Sequence, residues 1–129
     1  MATMPALAQA AALLAALIHV FFFLLESVWF GRPDVWKRFG LASAEQASVV
    51  RPMAFNQGFY NLFLALGVLA GLLLIITGKE VAGEAIVLFA CAIMVGAGAV
   101  LLVTSRRFLV SAAIQAGPPL VAVIATVLL

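Results

Sequence analysis

Eight residues of this chain have side chains or spacing suited to chemistry, and all of them sit in otherwise apolar sequence. His19 and Glu26 are seven apart, so a helix returns them to one face after two turns. In the run Asn56-Gln57-Gly58-Phe59-Tyr60-Asn61, the pairs Gln57 with Asn61 and Asn56 with Tyr60 align at i, i+4. Gln115 and Gly117 stand just before Pro118-Pro119. A carboxyl and an imidazole are acid–base groups, so Glu26 and His19 are the candidates for catalysis or proton carriage. Asn56, Gln57, Tyr60, Asn61, Gln115 and Gly117 are the candidates for holding a ligand. Each has a bland reading as well. Asn, Gln and His hydrogen-bond between membrane helices as ordinary glue. Glu26 is near enough to a span end to reach headgroups, or to pair with Arg51 or Arg32. Their joint placement favours a site over eight separate accidents.

What must position these residues is legible in the charges. Of 129 residues 67% are apolar and 12 are charged, against about a quarter charged in a globular protein. Met1–Leu25, Pro52–Gly78, Ala85–Ser105 and Phe108–Leu129 contain no Asp, Glu, Lys or Arg. Each is long enough for the roughly 20 helical residues that cross a hydrocarbon core. This composition excludes a soluble enzyme, a basic nucleic-acid binder and a disordered linker. Continuous apolar runs, rather than alternation, favour helices over a barrel. The expectation is therefore an all-α integral membrane four-helix bundle, a single domain over residues 1–129. Its helices are placed near 6–30, 53–77, 82–104 and 108–128. The first window is read as a retained helix rather than a secretory signal, because it has no basic n-region and Ala8-Gln9-Ala10 precedes the apolar run.

The connections carry direction. Arg32, Lys37, Arg38 and Arg51 fall in the first and Arg106 and Arg107 in the third, whereas only Lys79 falls in the second. This bias puts the first and third connections in the cytoplasm and both termini outside, in a bacterial inner membrane. Pro33-Asp34 opens a short helical segment, Val35–Phe39, whose aromatics and cations suit the headgroup region. Ser43-Ala44-Glu45-Gln46 fits a capping box that opens a helical turn running to Arg51, and Pro52 is expected to kink or restart the chain. Gly78 ends the second span. Gly67 with Gly71, and Ala92, Gly96 and Ala99, are the expected close-packing positions. Cys91, the single cysteine, reads as an apolar filler, and no metal site is expected from one His and one Cys. Haem ligation by His19 alone is weakly supported, and no cofactor is assigned.

Depth follows from about 1.5 Å of rise per residue. Measured from Phe30, Arg51 and Arg107, Glu26, Asn56 and Gln57 form a shallow layer, with His19, Tyr60, Asn61, Gln115 and Gly117 deeper. Pro118 and Pro119 deprive the carbonyls of Ile114 and Gln115 of their usual partners. Freed carbonyls at that depth either line a wet cavity or are repaired by neighbouring side chains. The other halves of the spans are almost purely apolar. The pattern suggests a polar pocket open to the cytoplasm.

His19, Glu26, Trp29, Phe39-Gly40-Leu41, the Asn56–Asn61 run, Phe63-Leu64-Ala65, Gly67, Phe89, Cys91, Gly96, Gly98 and Gln115 with Gly117-Pro118 together resemble one family of small bacterial and fungal membrane proteins. It is the family called domain of unknown function thirteen-oh-four. The likeness spans nearly the whole chain, and the Asn-Gln-Gly-x-Tyr-Asn core is its most specific part. At Glu26-Ser27 the sequence departs from the pattern, which more often has Met before the Glu and another residue after it. The resemblance implies a four-helix membrane protein and supplies no mechanism.

Three functional readings remain open from sequence. The first is a pocket that binds or transports a small apolar or amphipathic molecule, proton-coupled through Glu26. The second is a membrane-embedded acid–base enzyme, an isomerase or epoxide-opening type, acting on a lipophilic substrate. The third is a structural bundle without a ligand. Expected partners are the lipid bilayer, a small lipophilic ligand and a second copy of the chain, with no nucleic acid.

Overall fold

Apolar windows in lipid must satisfy their backbone within the segment, and all four are helical in the computed structural model, which describes residues 3–129. Helix α1 spans Ala6–Phe23 and continues as a wider turn over Leu24–Val28. A short α2, Pro33–Trp36, follows and tightens into a 3-10 turn at Lys37–Phe39. Helix α3 covers Ala44–Ile76, α4 Glu80–Thr104 and α5 Leu109–Leu128, with a 3-10 turn at Arg106–Phe108 between the last two. No strand occurs among the described residues. Four segments are long and apolar enough to cross a membrane: Ala6–Val28, Ala44–Ile76, Glu80–Thr104 and Arg106–Leu128. The chain is an all-α, multi-pass membrane protein with a short helix between its first two spans.

The chain divides into two compact units. One comprises the chain through Ile18 together with Leu64–Leu129. Small residues make its helices approach closely. Ala8, Ala11, Ala12, Ala15 and Ala16 recur at the i, i+3, i+4 spacing of one helix face and are all buried. Where α3 meets α4, a Cβ on Gly71 would lie 2.7 Å from Val87 Cγ2 and 2.8 Å from the Gly83 carbonyl. Where α4 meets α5, a Cβ on Gly98 would lie 2.6 Å from the Ala116 Cβ. The buried face of α4 is Gly83, Val87, Ala90, Cys91, Met94 and Gly98. Ala92, Gly96 and Ala99, expected at the contact, are exposed instead. Both sets share small-residue spacing, and spacing carries no phase. Cys91 is the buried filler that its sequence position suggests. Gly78 adopts φ 91° and closes α3, with the Lys79 amide reaching the Leu74 carbonyl at 2.8 Å and the Gly78 amide that of Ile75 at 3.1 Å.

The other unit is His19–Phe63. Ser43 caps α3 by accepting from the Gln46 amide at 3.2 Å, and Gln46 Oε1 accepts from the Ala42 amide at 2.9 Å. The helix then runs on through Pro52, so the turn expected up to Arg51 and the span expected from residue 53 form one helix, Ala44–Ile76. The Ser48 carbonyl loses its helical donor, but Ser48 is exposed and water can supply one. Phe30, Trp36, Ala47 and Ala54 form a small buried core. Val35 and Trp36 therefore pack into protein, while Lys37 and Arg38 stay exposed.

Candidate functional site

The site begins with a register change. From Leu24 to Val28 the helix is π-type, and the Trp29 amide reaches back five residues to the Leu24 carbonyl at 2.8 Å. Such single wide turns hold an extra residue and occur frequently at functional sites. Glu26 stands in the middle of this one. Its Oε1 accepts a hydrogen bond from Asn61 Nδ2 at 2.6 Å. Asn61 is buried and Glu26 half-buried.

Ser27, the next residue, fastens the same turn to α3. Its hydroxyl donates to the Phe55 carbonyl at 2.7 Å, using that oxygen's spare lone pair. Gly58 makes this possible, because a Cβ there would collide with Ser27 Oγ and lie 3.0 Å from Ser27 Cβ. One stretch of α3, Phe55–Asn61, thus receives both the acid and its neighbouring hydroxyl. Aromatic rings pack beside it: Phe23 lies edge-on to Phe59 at 5.1 Å, and Phe59 neighbours Phe55 at 5.1 Å and Phe63 at 6.1 Å. His19 is fully buried and meets the Phe22 ring in a T-shaped contact at 5.3 Å.

Chemically, the Asn61 amide occupies one carboxyl oxygen of Glu26. The second oxygen is able to take a proton or a polar group on a ligand. Neither arginine considered as a partner holds this carboxyl. Arg32 is paired with Asp34 at 2.9 Å, and the Arg51 guanidinium lies over Gly31, within 3.0 Å of where a Cβ would stand.

The structure joins Glu26 to Asn61, not to Asn56 or Gln57, with which depth counting had grouped it. Arg51 is a poor depth marker because α3 passes through it to Ala44. Asn56, Gln57 and Tyr60 are exposed, whereas Ala54, Gly58 and Asn61 are buried. Gln115 and Gly117 are half-buried in α5, within the other unit, and α5 continues through Pro118 and Pro119. Sequence reasoning did not single out Ser27 and Gly58 as positioning residues. The available signals were a hydroxyl beside the acid and a glycine within an aromatic run.

Gly58→Ala is expected to lower stability by about 1–3 kcal/mol, the usual range for forcing an extra carbon into a packed contact. Ser27→Ala should return part of that loss when added to it, because the colliding oxygen is gone while Ser27 Cβ remains. Thermal unfolding of the four proteins in detergent measures this. Equal losses in both backgrounds would mean that the two residues do not share the contact.

A family model described as Protein of unknown function (DUF1304) matches residues 13–127. No curated protein and no solved structure matches the chain.

Proposed function

The chain belongs to the DUF1304 family, and from that premise we propose that it binds, and carries in or across the membrane, a small apolar or amphipathic molecule at Glu26, with Glu26 as the proton-exchanging group. The observation that carries this reading is the Glu26–Asn61 hydrogen bond of 2.6 Å on the π turn. A carboxyl within a membrane span is expensive, and such residues by default mark ligand or proton sites. The Phe23, Phe59 and Phe55 rings, which pack on one another in the same unit, suit a molecule that is largely hydrocarbon. One polar group on that molecule would meet the second carboxyl oxygen. His19, two turns earlier in the chain, is the second titratable group of the reading. Of the exposed polar residues of α3, Gln57 would meet the ligand's polar end as it enters from the interface.

The Lys and Arg distribution supports a cytoplasmic placement for the connections that carry Arg32, Lys37, Arg38, Arg51, Arg106 and Arg107, with both termini outside a bacterial inner membrane. In that orientation the site faces inward.

The test is to purify the wild-type chain and Glu26→Gln from the same membranes and identify co-purifying small molecules by native mass spectrometry. Wild type is expected to retain one lipophilic compound in near-stoichiometric amount, and Glu26→Gln to retain it at least about tenfold less, a loss of roughly 1.4 kcal/mol in binding. Equal retention by both proteins, or no enriched compound in either, overturns the proposal. A compound recovered as a substrate–product pair would instead favour acid–base catalysis at the same carboxyl.

A further inference from the structure

The face of α3 turned away from the Glu26 contact has its own pattern. Val49, Met53, Asn56, Tyr60 and Phe63 follow at intervals of four, three, four and three residues, and every one is exposed. Val49 and Met53 are 77% and 74% exposed, Tyr60 59%. This is heptad spacing, the seam by which two helices pack at a shallow crossing angle. The buried side of the same segment holds Ala54, Gly58 and Asn61. The segment therefore has one face buried and a second, regular face left exposed.

We infer that this second face is the contact between two copies of the chain. Its composition identifies the occupant. Two copies inserted in the same orientation are related by a two-fold axis along the membrane normal, so each residue meets its counterpart at equal depth. Only self-complementary residues work at such an axis. A carboxamide both donates and accepts, as does a phenol, so Asn56 and Tyr60 can each bond to their own copies. Val49, Met53 and Phe63 match themselves by being apolar. Between Val49 and Phe63 the seam holds no charge, and Arg51, the nearest cation, turns towards Gly31 instead. A single polar position within an apolar seam also fixes register between helices. Lipid alone would leave the exposed amide and phenol without such partners.

The experiment places one cysteine at a time in a Cys91→Ala background, at Met53, Asn56 or Tyr60, with Val103 on α4 as an exposed control. Native membranes are then oxidised. A disulfide needs Cα atoms within about 7 Å, so the three seam positions are expected to give at least about tenfold more dimer than Val103→Cys. Step counting in photobleaching of the labelled wild-type chain keeps the test independent of how the variants fold, and two steps are expected. One step in wild type overturns the inference, leaving lipid against this face. Dimer formed from Val103→Cys as efficiently as from the seam overturns it too, as does cross-linking of the seam cysteines to a different protein. The outcome is independent of ligand retention by Glu26→Gln, so either idea can fail alone.

Discussion

Gly83→Ala is expected to separate α4 from α3 and to lower the stability of the folded chain by about 1–3 kcal/mol. A Cβ at Gly83 would collide with the Gly71 carbonyl and lie 2.7 Å from Ile75 Cγ1 and 2.9 Å from the Ile75 amide nitrogen. Two of these three obstacles are backbone, which cannot rotate out of the way as the end of a side chain can. The contact is reciprocal, since a Cβ at Gly71 would meet the Gly83 carbonyl at 2.8 Å. Relief therefore requires the two helices to move apart, and that breaks the surrounding packing, which is the main source of cohesion between helices in lipid. Gly67 supplies the control four residues before Gly71 on the same helix. A Cβ there has nothing within 4 Å, so Gly67→Ala should be neutral or gain roughly 0.5–1 kcal/mol from helix propensity. Unfolding in mixed micelles compares the two. Equal effects would show that the loss belongs to glycine substitution in general and not to the α3–α4 contact.

That contrast also shows what a sequence can and cannot give for this fold. The four spans are visible because long uncharged windows have one stable solution in lipid. The Ser43 cap and the Gly78 stop are visible for a similar reason, since each is a local arrangement with local residues. Which small residues touch another helix is not local. Gly67 and Gly71 look alike in sequence, yet only Gly71 meets α4. On α4 the set Ala92, Gly96 and Ala99 fits the motif as well as Gly83 and Gly98 do, and it is the set left exposed. At Pro52 the sequence allows a kink or a restart, and the chain does not restart. A proline near a helix start removes a single bond whose acceptor, the Ser48 carbonyl, lies on an exposed residue, so the helix persists.

For the site, the residue types were readable and the pairing was not. Glu26 stands out because a carboxyl is conspicuous in an apolar window, and Asn61 because it shares a run with three other polar side chains. Their partnership depends on the π turn at Leu24–Val28, whose extra residue alters the register of everything after it. No single residue in Leu-Leu-Glu-Ser-Val announces such a turn. It is held from outside, by Ser27 on the Phe55 carbonyl and by the room that Gly58 leaves. His19 and Glu26 have the spacing of one straight helical face, but the structure buries the first completely and bonds the second to α3.

The hydrogen bond itself can be asked whether it is a site or only glue. Asn61→Leu is expected to destabilise by about 1–3 kcal/mol, because the Glu26 carboxyl loses its donor in a half-buried position. Glu26→Leu should cost a similar amount by leaving the buried Asn61 amide without its acceptor. The double variant should recover much of the loss, since removing both members of a pair leaves nothing polar unmet. The resulting coupling is expected to exceed the average of about 0.6 kcal/mol found for hydrogen bonds between membrane helices. Stability alone does not separate the readings, because glue would give the same signs. Ligand retention does. A site predicts that the double variant folds nearly as well as wild type yet retains none of the co-purifying molecule. Glue predicts that the same variant recovers stability and keeps whatever wild type keeps. A double variant as competent as wild type in both respects would remove Glu26 from any functional role and leave the pair as a clasp between the Leu24–Val28 turn and α3.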